Sequence, residues 1–363
     1  MSCSVGLVMI IKDEEAVVER ALRSALPFVT SYVIVDTGST DRTKEIIRHV
    51  MADLPGLLVD RPWVSFGHNR SEALALCDNR MDWAIMLDAD DNLEGTVPPP
   101  EIWATPVDAL AVQIRHGSVI HQRPQIFRTN IGWGYEGVVH EYAKCRSKER
   151  PLIGLLPPET YMVTRCEGAR SRDPNKYSND AIMLESALAQ DPNNSRTLFY
   201  LGQSYRDAGN TEKAILNYRR YLDLSGGWDQ ERYTVLVNLI IIIDPADQAE
   251  KLRLTWAAIE LCPDRIDAQY AYLRQRRGLG LPLTQQCYAI AKLVTNRKIG
   301  PMHMFAISAI YEWGLDDELA VVAFATGRYR EAYEASMRCA MTAPELSMRE
   351  NALKNAKAAF DLL

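Results

Sequence analysis

Four short apolar runs before residue 92, each closed by polar residues, restrict the fold of this chain more than any other feature. Val5–Ile11 runs into Lys12-Asp13-Glu14-Glu15, Tyr32–Val35 into Asp36, Leu57–Val59 into Asp60, and Trp83–Leu87 into Asp88-Ala89-Asp90-Asp91. Between them lie stretches with helical periodicity, Glu14–Ala25, Arg42–Val50 and Asn69–Cys77. Such alternation predicts strand–helix–strand units and a mostly parallel sheet. Open sheets of this kind gather ligands at the carboxyl ends of their strands, where the polar clusters fall. Further strands are expected at Ala109–Arg115 and Gln125–Phe127, and Asp91–Pro106, with three consecutive prolines, reads as a loop.

The rhythm changes twice. From Lys144 to Lys176 the chain is loop-rich and basic, carrying Arg146, Lys148, Arg150, Arg165, Arg170 and Arg172, and part of it reads as a hinge or lid. Beyond it, helix follows helix. Tyr200-Leu201-Gly202, Tyr205, Gly209-Asn210, Ala214 and Tyr218 follow a helix–turn–helix logic in which small residues permit close approach, aromatics fill gaps and Gly-Asn turns the chain. A weaker echo appears at Leu319–Pro344. The 363 residues suit two cores. The expected division is an α/β domain over 1–145, a basic linker over 146–176 and an all-α helical-repeat domain over 177–363, with the number of repeats open.

Composition excludes some functions and leaves others open. A net charge of −6 offers no global attraction to nucleic acid or to an anionic membrane, although a local basic patch remains compatible with it. The seven cysteines are scattered and form no C-x-x-C pair, which favours reduced thiols in a cytoplasmic protein over a zinc site. No signal peptide is expected, because acidic residues follow Val5–Ile11 at once. Val235–Ile243 is too short to span a bilayer and contains Asn238.

The chemistry concentrates at Met86-Leu87-Asp88-Ala89-Asp90-Asp91. Two carboxylates one residue apart at a strand end offer hard oxygen ligands to Mn²⁺ or Mg²⁺, with substrate phosphates completing the shell. An acidic turn after a strand can equally be structural, so its surroundings decide. Those are Lys12-Asp13-Glu14-Glu15 after the first strand, Val35-Asp36-Thr37-Gly38-Ser39 after the second, Phe66-Gly67-His68-Asn69-Arg70 before the third helix, and Gly137-Val138-Val139-His140-Glu141.

In that order, these segments resemble glycosyltransferase family 2, in particular members whose catalytic domain is fused to tetratricopeptide repeats. The resemblance implies a GT-A fold, Rossmann-like and mostly parallel, followed by tetratricopeptide-like helices. It implies a metal-dependent inverting transferase that uses a UDP-sugar or another nucleoside diphosphate sugar. Asp36 is then the contact to base or ribose; its alternative role, a helix cap, is better filled by Asp41. Gly38 permits a tight turn near the nucleotide. Asp13 stands where the family usually has Asn, keeping an acceptor but losing a donor, and Glu14 matches the family's Glu. Both are otherwise first-turn acids favoured by the helix dipole.

Arg70 and Arg128 are assigned to the diphosphate, with a structural ion pair from Arg70 to Asp36 or Asp88, and an acidic neighbour for Arg128, as the alternatives. Asp90 is the metal ligand, with His140 opposite it, and Asp88 serves the metal, its bound water or the ribose. Inversion requires a base, for which Glu141 and Glu136 are the candidates. Trp133 and Tyr135 are read either as sugar-stacking rings or as packing anchors.

The acceptor is expected to be a hydroxyl or thiol on a polypeptide or other polymer, since helical repeats present extended surfaces. A hydroxymethylated base in DNA is the second reading, supported by the basic stretch. The third is a non-catalytic repeat scaffold. A homodimer through the helical domain is a further expectation.

Overall fold

The structure is a computed structural model that describes residues 3–117, 119–293, 298–300 and 303–363. The chain forms two compact units, Met1–Gln190 and Asp191–Leu363. In the first, β1 (Val5–Ile11), α1 (Val18–Ala25), β2 (Ser31–Asp36), α2 (Thr43–Val50), β3 (Gly56–Asp60), α3 (Phe66–Ala75) and β4 (Trp83–Met86) follow the expected alternation. After them come β5 (Asp91–Gly95), the short α4 (Pro100–Trp103), β6 (Ala109–His116), β7 (Val119–Arg128), β8 (Trp133–Glu136), β9 (Tyr142–Cys145), β10 (Ile153–Leu155), β11 (Thr160–Thr164) and α5 (Lys176–Gln190).

The main sheet runs β3-β2-β1-β4-β7-β6-β11-β5, with β10 also on β6, while β8 and β9 form a separate hairpin. Strands β1 to β4 are mutually parallel, and β7 is antiparallel to β4 and to β6. The sheet is therefore mixed. Alternate residues of β1 feed two cores: Leu7, Met9 and Ile11 pack with Leu22, Ile34 and Trp83, and Val8 packs with Val33, Met86 and Phe127. Burial on both faces is why Val5–Ile11 lacks the apolar–polar alternation of a half-exposed strand.

Two segments depart from expectation. Within 146–176, expected to be a linker, β10 pairs with β6, and β11 lies between β6 and β5. Asp91–Pro106, expected to be a loop, contains β5 and α4. These strands span three to five residues, too few for a period of two to register. They exist because their neighbours supply the ladder.

The second unit is helical throughout its described residues: α6 (Ser195–Asp207), α7 (Thr211–Asp223), α8 (Asp229–Ile242), α9 (Gln248–Leu261), α10 (Asp267–Gly278), α11 (Gln285–Lys292), a π-turn over Ile310–Gly314, α12 (Leu315–Ala325), α13 (Tyr329–Thr342) and α14 (Leu346–Phe360). The repeat residues act as expected. A Cβ at Gly202 would overlap the Tyr218 ring, Gly209 has φ +78°, and the Asn210 side chain caps α7 by accepting from Lys213 N at 3.1 Å. The α-helical half of the fold expectation thus stands beside the α/β half.

Candidate active site

The carboxyl ends of β1, β2 and β4 bring the polar clusters to one edge of the sheet. Asp36 ends β2 fully buried. Its Oδ1 accepts from Gly38 N at 2.9 Å and Ser39 N at 2.8 Å, and Gly38, with φ +109°, makes the turn possible. Asp36 Oδ2 is buried without a hydrogen-bond partner, an acceptor open to a ligand's N–H or hydroxyl. The bond at the helix start is made by Asp41, one residue before the N-cap Arg42: its Oδ1 accepts from Thr43 N at 2.9 Å.

Asp13 ties two loops together. Its Oδ1 accepts from Thr40 N at 2.7 Å, and its own N–H donates to Ser39 Oγ at 3.0 Å. Only the acceptor that Asp shares with Asn is used, so the departure from the family's residue costs nothing there.

Arg70, on α3 and 8% exposed, reaches Asp88 Oδ1 at 2.5 Å through Nη2 and lies 2.8 Å from Glu141 Oε1 through Nε. Of the two expected roles, the ion pair to Asp88 is realised, extended by Glu141. Burial alone would raise the Asp88 carboxyl, but Arg70, followed by Arg123, outweighs it and holds Asp88 below the usual carboxylate range. For Asp91 the balance runs the other way: burial, then Asp88 and Asp90, push it up to about 7. Burial likewise pushes Glu14 up to about 6, against the hydrogen bond from Ala169 N and with a further rise from Asp90. Four carboxylates crowd this strand end, two of them reluctant to ionise. A divalent cation held by oxygen ligands and substrate phosphates fits such a site.

The structure does not gather the full metal set. Among the described residues, no three His, Cys, Asp or Glu side chains are disposed to hold an ion. His140 is exposed in the β8–β9 turn, with φ +53°. A shell of Asp90, Asp88 and His140 is therefore not preformed, and the carboxylates alone fit a cation of the kind that relies on phosphate oxygens.

Glu136 is exposed, accepts from Tyr142 OH at 2.7 Å and pairs with Lys144 at 2.8 Å. Those two bonds, that of Lys144 first, keep it below the usual range, which makes it a hairpin brace and a poor base. Glu141 is the candidate that lies with Asp88. Trp133 and Tyr135 are buried against Phe127 and are packing anchors.

Arg128 also falls elsewhere. Because β7 is antiparallel to β4, Arg128 pairs with Trp83 at the far end from Asp88, roughly 16 Å away along an extended strand. There its guanidinium lies 4.4 Å from the Trp83 ring centre and donates to Thr105 O at 2.6 Å and Val107 O at 2.9 Å. The same register brings Arg123 into the field of Asp88 and Asp91. Sequence reasoning missed Arg123, whose only signal was the direction of β7. It also missed Asp91, the third acid of a motif read as two.

The comparison with known families bears directly on this edge. Residues 7–168 match the model of glycosyl transferase family 2, and residues 183–215 match a tetratricopeptide repeat. Residues 7–168 form a glycosyl transferase family 2 domain. An uncharacterized glycosyltransferase of Rickettsia typhi is 33% identical over 85 residues, covering 23% of this chain and 27% of that protein. A TPR repeat-containing protein of Synechococcus elongatus is 36% identical over 254 residues, covering 66% of this chain and 61% of that one. The chain thus spans less than two thirds of either relative. Among solved structures, S. aureus TarS residues 1–349 in complex with UDP-GlcNAc aligns at 16% identity and TM-score 0.38, over 76% of this chain and 92% of that one. YrrB, a TPR protein, aligns at 14% identity and TM-score 0.37, over 50% and 84%. The family 2 domain holds Asp36, Asp88, Asp90 and Glu141, and with them every expected site residue.

Proposed function

We propose that this chain is a glycosyltransferase that moves a sugar from a nucleoside diphosphate sugar to a hydroxyl or thiol of a polymer acceptor, with inversion and with a divalent cation. The observation that carries the reading is the convergence of a buried, half-unpartnered Asp36 and the crowded acids Asp88, Asp90 and Asp91 at one sheet edge of a family 2 domain.

In this reading Asp36 Oδ2 takes a donor group of the base or ribose, and Gly38 keeps the approach clear. Asp88 and Asp90 would hold Mn²⁺ or Mg²⁺, whose charge would offset that of the departing diphosphate. Arg70, already committed to two carboxylates, fixes Asp88 relative to Glu141 and does not bind the diphosphate. Glu141 takes the acceptor proton on the face opposite the leaving group.

One feature favours a polypeptide or another polymer over DNA as the acceptor. Three of the eight basic residues in that stretch are closely paired within the chain: Lys144 with Glu136, Lys148 with Asp108 and Arg170 with Asp180. The seven cysteines are unbridged, which suits a cytoplasmic setting. Among the described residues no helix is long and apolar enough to cross a membrane.

The test is Mn²⁺-dependent turnover of UDP-, GDP- and TDP-sugars, followed by labelled transfer to separate pools of peptide, hydroxymethylated DNA and lipid-linked glycan. Asp90→Asn is expected to abolish metal-dependent turnover with the fold intact. Turnover near wild type in that variant removes Asp90 from the reaction, and absence of both turnover and donor binding in the wild type favours the scaffold. Label confined to DNA overturns the acceptor assignment.

A further inference from the structure

Arg70 and Arg128, the two arginines expected at the diphosphate, are committed elsewhere: Arg70 to Asp88 and Glu141, Arg128 to the Trp83 ring and two carbonyls. Another guanidinium at the acidic edge is held in place and left open. Arg123, exposed on β7, lies three residues before Ile126, which pairs with Ile85 of β4; Asp88 lies three residues after Ile85, so the two are level across the strands. β7 is bulged just there: Leu110 of β6 pairs with Ile126 and Ala111 with Pro124, which leaves Gln125 as an extra residue. An inserted residue turns those beyond it to the other face of the sheet, so the bulge decides where Arg123 points. Gln125 itself is 2% exposed. With its amide nitrogen donating to Pro124 O at 3.1 Å, its oxygen accepts from Arg123 Nη2 at 2.8 Å.

That bond leaves most of the guanidinium's N–H donors unused. Arg123 stands in the field of Asp88 and Asp91, yet among the described residues it forms no ion pair, Asp88 being taken by Arg70. Strand order sets its distance from the nucleoside end. From Asp36 on β2 the sheet runs through β1 and β4 to β7, a separation of roughly 14 Å at the usual strand spacing, which is the length scale of an extended nucleoside diphosphate. A donor whose base or ribose meets Asp36 therefore brings its distal phosphate to Arg123. We propose that Arg123 binds the β-phosphate of the donor through its guanidinium fork, and that Gln125 is the positioning residue that aims it. The inference rests on the nucleoside diphosphate sugar reading above and does not depend on a bound cation. Negative charge gathers on the β-phosphate as its bond to the sugar breaks, so a fixed guanidinium there favours departure of the diphosphate.

The experiment titrates UDP, GDP and TDP calorimetrically into the full chain, with and without MnCl₂, and compares whichever binds with its own monophosphate. Arg123→Met keeps the apolar stem and removes the guanidinium. A charge-assisted hydrogen bond contributes about tenfold or more in affinity, so this variant is expected to weaken the diphosphate at least tenfold and the monophosphate less than twofold. Arg123→Lys, expected to lose at least threefold against the diphosphate alone, serves if the methionine variant does not fold. Gln125→Met leaves the charge but removes the brace, and is expected to weaken the diphosphate at least threefold with the monophosphate unchanged; wild-type affinity in that variant overturns the aiming role of Gln125. Arg172→Met removes an exposed charge that acts on Glu14 from the same edge and is expected to leave both affinities within twofold. A smaller loss in Arg123→Met, equal losses for diphosphate and monophosphate, or a diphosphate-selective loss in Arg172→Met instead, overturns the assignment of Arg123 alone. No binding of any of the three diphosphates by wild type, with or without MnCl₂, overturns the donor reading and Arg123 with it.

Discussion

Replacing Arg70 with methionine tests whether one buried guanidinium holds the acidic edge together. The substitution keeps an unbranched apolar stem of similar length and removes the charge that faces Asp88 at 2.5 Å and Glu141 at 2.8 Å. Removing one partner of a buried ion pair costs about 3–5 kcal/mol, because the remaining charge stays desolvated. The Asp88 side chain is 32% exposed and that of Glu141 12%, so water recovers part of the loss at Asp88 and the lower figure, about 3 kcal/mol, applies. For a unit of 190 residues that corresponds to a fall in melting temperature of roughly 6–12 °C.

The pH dependence fixes the cause. Burial raises Asp88, but Arg70 outweighs it and leaves the folded-state pKa depressed. Asp88 therefore contributes stability that is fully present above its unfolded pKa, about 3.9, and is lost as pH falls through the folded value. In Arg70→Met the Asp88 carboxylate lacks its cation and protonates more readily, so the gap between variant and wild type is widest near pH 7 and narrows below about pH 4. Calorimetry of the first unit's transition at both pH values measures it. A loss under about 1 kcal/mol, typical of an exposed pair, or a gap that does not change with pH, refutes the reasoning.

Three further outcomes are expected. Asp91, raised to about 7, takes up a proton on folding, so metal-free stability falls as pH rises from about 4 through 7; Asp91→Asn flattens that slope in melting curves taken from pH 5 to 8, and an unchanged slope assigns it to another group. Arg128→Ala loses its packing on Trp83 and two carbonyl bonds, lowering stability by about 1–3 kcal/mol without changing UDP affinity by calorimetric titration; weaker UDP binding returns Arg128 to the donor site. Glu141→Gln lowers kcat for transfer by at least about a hundredfold, as removal of a general base does, while leaving donor Kd within about threefold; equal losses in both place Glu141 in donor binding.

Legibility differed among the site residues for physical reasons. Asp36, Gly38, Asp88 and Asp90 were readable because each sits at a strand end, where direction along the chain already determines which edge of a parallel sheet a residue reaches. Arg128 was misplaced because β7 runs antiparallel to β4, a reversal that local periodicity does not encode, and the same reversal concealed Arg123. Glu136 and Glu141 looked alike in sequence; cross-strand partners in the β8–β9 hairpin claimed the first, and a side chain from α3 paired with the second.

By itself the sequence determined the elements and their types from β1 to β4, the helical character beyond residue 176, the repeat turn at Gly209-Asn210 and the acids that end the parallel strands. These follow from periodicity and from backbone chemistry that acts over a few residues. Tertiary structure alone decided that β10 and β11 complete the sheet, that Arg70 joins Asp88 to Glu141, and that Gly168 and Ala169 close over Asp90 and Glu14. Those contacts join residues up to 155 positions apart, and their energy comes from burial and pairing that arise only once the chain has folded.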